Sequence, residues 1–462
     1  MQALVDRVPS QRAGGVEKRA SVTSKILDLP GLTATPESQH FIPVSRHGLR
    51  ARLIAMLKED GGGEREWDRA LDCLAAWRHQ FYRKRLLELI DDYLPFSPDS
   101  DTVNLIELDA ATRQKAQAEF IEGVEELLAE ANYVRLSPED VQRLLIARSP
   151  HGLYLDVDMS DFDEALLYFR GASTETREER NPWRFYLTKD RYKVHLFQRL
   201  FLLLKLKPTE RRAAEIMAAT GASSDRARRM VAHQRRHLPV GVSSEHIYVK
   251  VFKHIPQIDL EMLFPNTRIE FRPFDKLRLL VTAGGGTAAG VVGMATKLLA
   301  AANPITLAGG LVGLSAVIFR QVMSFFNTRN HYMMLLAQNL YFCSLANNRG
   351  ALTLIADSAE EEDVKEDMLL YALLARHPSH GDALAEIKSA IERFVAEHCG
   401  TTINFDAEDA LRRLLADGLV RADAAGNLTA IGPEEARAHL DLLWDRLLDV
   451  DTLDHAAPSG TA

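Results

Sequence analysis

Between Asp275 and Asp357 the chain contains no Asp or Glu, although acidic residues outnumber basic ones overall, 64 to 56. Inside this gap a Gly/Ala-rich apolar stretch runs from Leu279 to Phe326, interrupted by Lys297, Arg320 and the turn signal Asn303-Pro304. Its halves, Leu279–Ala300 and Ile305–Phe326, each reach the ~20 residues needed to cross a bilayer core. The stretch therefore predicts a central two-helix transmembrane hairpin over 277–326. Gly286 and Gly290 on the first half, and Gly309 and Gly313 on the second, form small-xxx-small pairs that let helix backbones approach closely. Lys297 near the tip and Arg320 near the base are placed to snorkel, and Lys276, Arg278, Arg320 and Arg329 flank the base. By the positive-inside rule both termini then lie on the cytoplasmic side of a bacterial inner membrane, or on the equivalent face of an organellar inner membrane. The competing reading is a Gly-rich soluble core, because Gly and Ala contribute little to insertion.

The same glycines mimic a nucleotide loop, since Gly284 to Ala289 has the spacing G-x-G-x-x-A. A dinucleotide fold needs an acid about 20 residues later for the ribose hydroxyls, and the gap supplies none.

The chain's 462 residues are enough for two or three domains. The net charge of -8 argues against nucleic acid as a general partner. Cys73, Cys343 and Cys399 are odd in number and scattered, which points to a reducing compartment. Residues 1–40 lack the apolar core of a secretory signal and read as a disordered lead.

Residues 41–150 read as helical. Trp67, Leu71, Leu74 and Phe81 fall near one face, Pro95 to Pro98 stops that helix, and Ser137-Pro138-Glu139-Asp140 opens a shorter one. Residues 151–276 read as a small α+β module with short strands at 153–157, 165–169, 193–206, 246–253 and 267–272. A basic helical insertion interrupts it over 208–240. Residues 327–358 form a connecting helix and a turn at Asn347 to Gly350. Helices at 360–376, 383–398 and 406–417, a hairpin near Gly426-Asn427 and a last helix from Pro433 predict a winged-helix-like module over 359–450, followed by a disordered tail at 451–462. The fold class is thus mainly α, with a small α+β module, the transmembrane hairpin and the winged-helix-like module.

No catalytic, cofactor-binding or metal-ligating set emerges. Asp156, Asp158, Asp161, Asp163 and Glu164 lack the glycine and spacing of a calcium loop and read as a solvated turn. Glu360 to Asp363 read as acids complementing the dipole at a helix start. His233 and His237 are four apart with no adjacent Glu of the zincin kind. Residues 205–237 hold nine Lys/Arg against three acids, a pattern that suits either anionic headgroups or solvent. Acids surround Arg412 and Arg413 in the candidate recognition helix, which disfavours DNA there and favours a protein partner.

Four stretches carry a resemblance. They are Phe41-Ile42-Pro43, the run Phe81 to Asp99, the run Phe252 to Pro265, and Asn348-Arg349-Gly350 leading to Glu360-Glu361-Glu362 and Tyr371. Together, over about 41–375, they resemble the domain-of-unknown-function 3754 family, whose members include a two-pass mitochondrial transmembrane protein. The resemblance implies two central spans and supplies no reaction. The expectation is an uncharacterised integral membrane protein, acting as a non-enzymatic scaffold or partner-recruiting protein. Its partners would be the lipid bilayer, a protein at the C-terminal module and a second copy of itself. An oligomeric small-solute transporter or channel and a membrane-associated hydrolase are the alternatives.

Overall fold

The computed structural model describes residues 41–59, 63–99, 108–146, 154–180, 189–239, 241–270, 340–380, 384–424 and 426–446, with Phe319, Met323 and Met334. The helices begin with α1 (Arg46–Glu59), α2 (Glu64–Tyr93), α3 (Ala110–Glu130) and α4 (Pro138–Ile146). Strands β3 (Phe162–Arg180) and β4 (Lys189–Leu206) follow, then α5 (Thr209–Thr220), α6 (Ser224–Gln234) and β5 (Ile247–Pro256). Strand β7 (Ser344–Asn347) leads into α7 (Asn348–Arg376), and α8 (Leu384–Cys399), α9 (Ala407–Ala416) and α10 (Pro433–Arg446) complete the helices. Short strands are β1 (Val134–Arg135), β2 (Tyr154–Asp156), β6 (Arg268–Glu270), β8 (Ser379–His380), β9 (Val420–Ala422) and β10 (Asn427–Ala430).

The central layer is a five-stranded antiparallel sheet in the order β1-β3-β4-β5-β7. The run Phe201 to Leu204 explains why it is central. Phe201 and Leu203 pack on one side with Tyr93, Phe120 and Ile355, while Leu200, Leu202 and Leu204 pack on the other with Val141, Leu260 and Phe264. A strand apolar on both faces must be covered on both faces. Helices α2, α3 and α7 cover one side; α4 and the 3-10 turn Gln257–Leu263 cover the other. A second core gathers α1, the first half of α2, the second half of α7 and the C-terminal elements around Leu49, Trp67, Tyr371 and Leu414. A separate three-stranded sheet, β8-β10-β9, lies among those C-terminal elements.

The fold class differs from the sequence expectation. Among the described residues no helix is long and apolar enough to cross a membrane. The expected transmembrane hairpin, the integral two-pass localisation and the membrane assignment built on it are therefore corrected. The described helices with length to spare, α2 and α7, are charged and packed on the sheet and C-terminal elements. Of the 48 residues in the apolar stretch that prompted the expectation, 17 are Gly or Ala, which gain little from leaving water. It lies outside the described residues except for Phe319 and Met323, as do Gly286, Gly290, Gly309, Gly313, Lys276, Arg278, Lys297, Arg320 and Arg329. The sheet is also larger than the short strands predicted. Strands β3 and β4 run 19 and 18 residues because their charged outer halves, which look like loop in sequence, continue the same ladder.

Helix α7 corrects two further readings. Asn348-Arg349-Gly350 is its first turn rather than a loop, and Asn348 holds it there. The Asn348 Oδ1 accepts from the Val249 N–H at 3.1 Å and its Nδ2 donates to Asp99 Oδ2 at 2.6 Å. The acids at 360–363 consequently sit mid-helix, and Glu362 and Asp363 are buried. The boundary placed at 359 falls inside this unbroken helix.

Candidate functional site

The ladder pairs Arg170 of β3 with Arg199 of β4, and Arg199 with Lys253 of β5. Paired residues in antiparallel strands share a face, so three cations stand in one row across three strands. Like charges directly opposite each other destabilise a sheet. Arg170 is neutralised in part: its Nη2 lies 2.8 Å from Glu362 Oε1, and its guanidinium stacks over Phe41 at 4.7 Å and Tyr133 at 6.0 Å. Arg199 and Lys253 are exposed and have no ion pair among the described residues.

A kink turns this row into a pocket. Gly171 and His254 both have positive φ, 70° and 52°, and both lie opposite Gln198. A regular strand sends successive side chains to opposite faces. Here the neighbours Gln198 and Arg199, and the neighbours Lys253 and His254, all line one cavity of about 300 Å³ with Phe41, Tyr133, Ser358 and Glu361. The left-handed backbone at His254 costs a non-glycine residue about 1–3 kcal/mol, so surrounding structure holds it there. Ser358 donates its hydroxyl proton to the Leu354 carbonyl at 2.7 Å, a helix-internal bond. Burial pushes the Tyr133 phenol up, and Arg170 and Arg199 pull it back.

Gly171 is required twice. Its φ suits glycine, and an added Cβ would lie 2.5 Å from Gln198 Oε1 and 3.1 Å from Phe41 Cε1. Gly171→Ala is expected to cost about 1–3 kcal/mol in urea unfolding and to displace the Gln198 amide. A loss below a few tenths of a kcal/mol would mean the kink is incidental.

Behind the pocket lies a buried ionic network on α7. Glu362 Oε2 accepts from the Ile42 N–H at 2.8 Å, while Lys365 Nζ bonds Glu362 Oε1 at 2.6 Å and the Ile42 carbonyl at 2.7 Å. One turn further, Arg413 of α9 meets Asp363 at 3.1 Å, Glu366 at 2.9 Å and Asp367 at 2.9 Å. Arg78 of α2 meets Asp367 at 2.8 Å and Asp417 at 2.6 Å. Tyr82 donates to Asp363 at 2.6 Å. Two guanidiniums thus face four carboxyls, and the excess must retain protons. Burial raises Asp363 to about 7 and Glu366 to about 8, against the pull of Arg413.

The acidic cluster after β2 also has a structural partner. Asp158, Asp161 and Asp163 receive Arg212 at 2.9 Å, Arg235 at 2.7 Å and Arg211 at 2.6 Å from the basic helical pair. These are docking contacts, whereas the sequence reading was a solvated turn.

The three-cation row links residues far apart in sequence, and one further comparison covers all three. Residues 162–350 match DUF3754, a protein family of unknown function. The DUF3754 stretch starts with β3 and ends with the third residue of α7, so it contains Arg170, Arg199, Lys253 and the Phe252 to Pro265 run. It stops short of the buried carboxyls of α7. The resemblance read over 41–375 is thus supported over the DUF3754 stretch, and Phe41, Tyr133, Ser358 and Glu361 reach the pocket from outside it. No solved structure matches the chain.

Sequence reasoning missed this row because no local pattern marks residues 170, 199 and 253 as neighbours. The available signals were Arg170-Gly171 inside a β-prone run and Lys253-His254 before Ile255-Pro256.

Proposed function

We propose that this protein is a non-catalytic binding protein whose pocket holds a small phosphate-bearing ligand, bound or released to recruit a partner. The observation that carries this reading is the Arg170-Arg199-Lys253 row, with two of its three cations lacking an ion pair among the described residues. A dianion between Arg199 and Lys253 would turn the like-charge repulsion of the empty row into attraction. Arginine contributes a planar fork suited to phosphate oxygens, and lysine contributes a point charge. The cavity, near 300 Å³, suits a phosphomonoester with a modest organic group rather than a polymer. Phe41, Tyr133 and Gln198 offer that group two aromatic surfaces and an amide.

The test is thermal unfolding of the full chain in inorganic phosphate or a simple phosphomonoester, against chloride at equal ionic strength. Saturating phosphate is expected to stabilise the protein, by about 2.7 kcal/mol at a hundred times Kd. The double variant Arg199→Ala/Lys253→Ala should lose that response. Without ligand it should match or exceed the parent by about 0.2–1 kcal/mol, because opposed like charges have been removed. An equal response in the variant, or in chloride, would overturn the reading.

A further inference from the structure

The basic helical pair sorts its arginines into two sets. Arg211, Arg212, Arg228 and Arg235 are ion-paired, to Asp163, Asp158, Glu210 and Asp161 respectively. Three of those bonds fasten the pair to the sheet, two at the turn before β3 and one at Asp163 in its first residues. Arg226, Arg229 and Arg236 are exposed and have no ion pair among the described residues. With His233 they occupy positions 226, 229, 233 and 236, a stripe that runs along α6 and into the 3-10 turn Arg235–His237 that follows it. Met230 and Gln234 lie on the same face and help line a shallow recess along it.

The scaffold under the stripe is self-contained. Ala213, Ile216, Ala227 and Val231 form a small core apart from the larger ones. Three residues join α5 to α6, starting with Gly221 in the left-handed conformation at φ 67°, its N–H bonded to the Met217 carbonyl at 2.9 Å. Two short helices joined by a tight glycine turn, the second carrying the free cations, is the layout of a helix-turn-helix.

We infer that α6 is a DNA-binding helix that enters the major groove of a B-form duplex. At 1.5 Å per residue in α6 and about 2.0 Å in the 3-10 turn after it, Arg226 and Arg236 stand about 16 Å apart along the stripe, and the groove is about 12 Å wide. Cations at the two ends therefore reach the phosphate walls, and Arg229 and His233 between them face the base edges. Arginine pairs bidentately with guanine. The major groove of A-form RNA is too narrow for a helix, which favours DNA. The net charge of -8 does not oppose this placement, since a local basic stripe on an acidic protein fixes the orientation of approach. The sequence disfavours nucleic acid through its net charge and the acids around Arg412 and Arg413, and its basic stretch suits anionic headgroups or solvent equally, because sequence alone does not show which of the nine cations are neutralised.

The experiment is fluorescence anisotropy of a labelled 20-base-pair duplex titrated with the full chain at several salt concentrations. Binding is expected to weaken with salt, and Arg226→Ala/Arg229→Ala/Arg236→Ala is expected to weaken it about tenfold or more at low salt. The triple variant should also reduce the log–log salt slope by about 2, one for each phosphate-facing arginine. The corresponding triple lysine variant should keep most of the affinity, which separates charge from folding. Arg228→Ala, outside the stripe, should leave affinity unchanged. Absence of saturable duplex binding, retention of full affinity in the alanine variant, or polyglutamate displacing the duplex at equal charge concentration would each overturn the assignment, the last in favour of an acidic polypeptide.

Discussion

Arg413→Met is expected to destabilise the protein by about 3–5 kcal/mol at pH 8.5, and by clearly less at pH 6. Arg413 touches Asp363, Glu366 and Asp367, whereas Arg78 reaches only Asp367 of these three. Without Arg413, Asp363 and Glu366 are buried carboxyls with no cation to offset their charge. They would stay folded only by keeping protons, which is easier at lower pH. The native protein already leans this way. Asp363 and Glu366 titrate at about 7 and about 8 when folded, against ordinary values of 3.8 and 4.5. The folded state therefore binds more protons than the unfolded state between about pH 4 and pH 8. Stability contributed by these groups is complete below about pH 4, is lost progressively above it, and is gone once pH has risen through 7 for Asp363 and 8 for Glu366. Urea unfolding at the two pH values measures the difference. A loss under 1 kcal/mol, or one independent of pH, would show that the network is solvated.

The second large effect is expected at Glu261, in the 3-10 turn following β5. The residue is 2 % exposed, and its Oε2 has no hydrogen-bond partner among the described residues. Burial raises it to about 8, and nearby Asp259 pushes in the same direction. In the unfolded chain it ionises near 4.5. Glu261 therefore costs stability progressively as pH rises from 4.5, with the cost levelling off above about 8. Glu261→Gln is neutral throughout and should gain on the parent by about 4 kcal/mol between pH 4 and pH 9. Any pH-independent penalty from the new amide, about 1–3 kcal/mol, shifts the whole curve and leaves the difference intact. Parallel stability-versus-pH curves for parent and variant would contradict a buried proton at this carboxyl.

Local signals were legible where one residue type suffices. Pro95 follows the end of α2 by two residues, Ser137 Oγ accepts from the Asp140 N–H at the start of α4, and Gly426 takes φ 86° between β9 and β10. The apolar run Leu200 to Leu204 marks a doubly covered strand by composition alone. Pairing partners were not legible. Arg170 has the same sequence appearance as exposed Arg199, yet one is neutralised by Glu362 and the other is not. Glu362, Asp363, Glu366 and Asp367 look like a helix surface because acids normally face water, and Arg78, Arg170 and Arg413 arriving from three other elements, with Lys365 of α7 itself, make their burial tolerable. The stretch from Leu279 to Phe326 misleads for the converse reason: its length and lack of acids suit a bilayer, while its 17 Gly and Ala residues carry little preference for lipid.

The continuous helix α7 has a consequence for biosynthesis. Its first half closes the core beneath the sheet and its second half closes the core around Trp67 and Tyr371. The Ile42 N–H finds its acceptor 320 residues downstream. A chain emerging from the ribosome at ~5–20 residues per second therefore exposes the apolar faces of α1 and α2 for some tens of seconds before either can be covered. Nascent molecules halted before α7 would carry two open cores at once and be clients for chaperones or proteases, so fragments ending upstream of α7 should accumulate as aggregates while the complete chain does not.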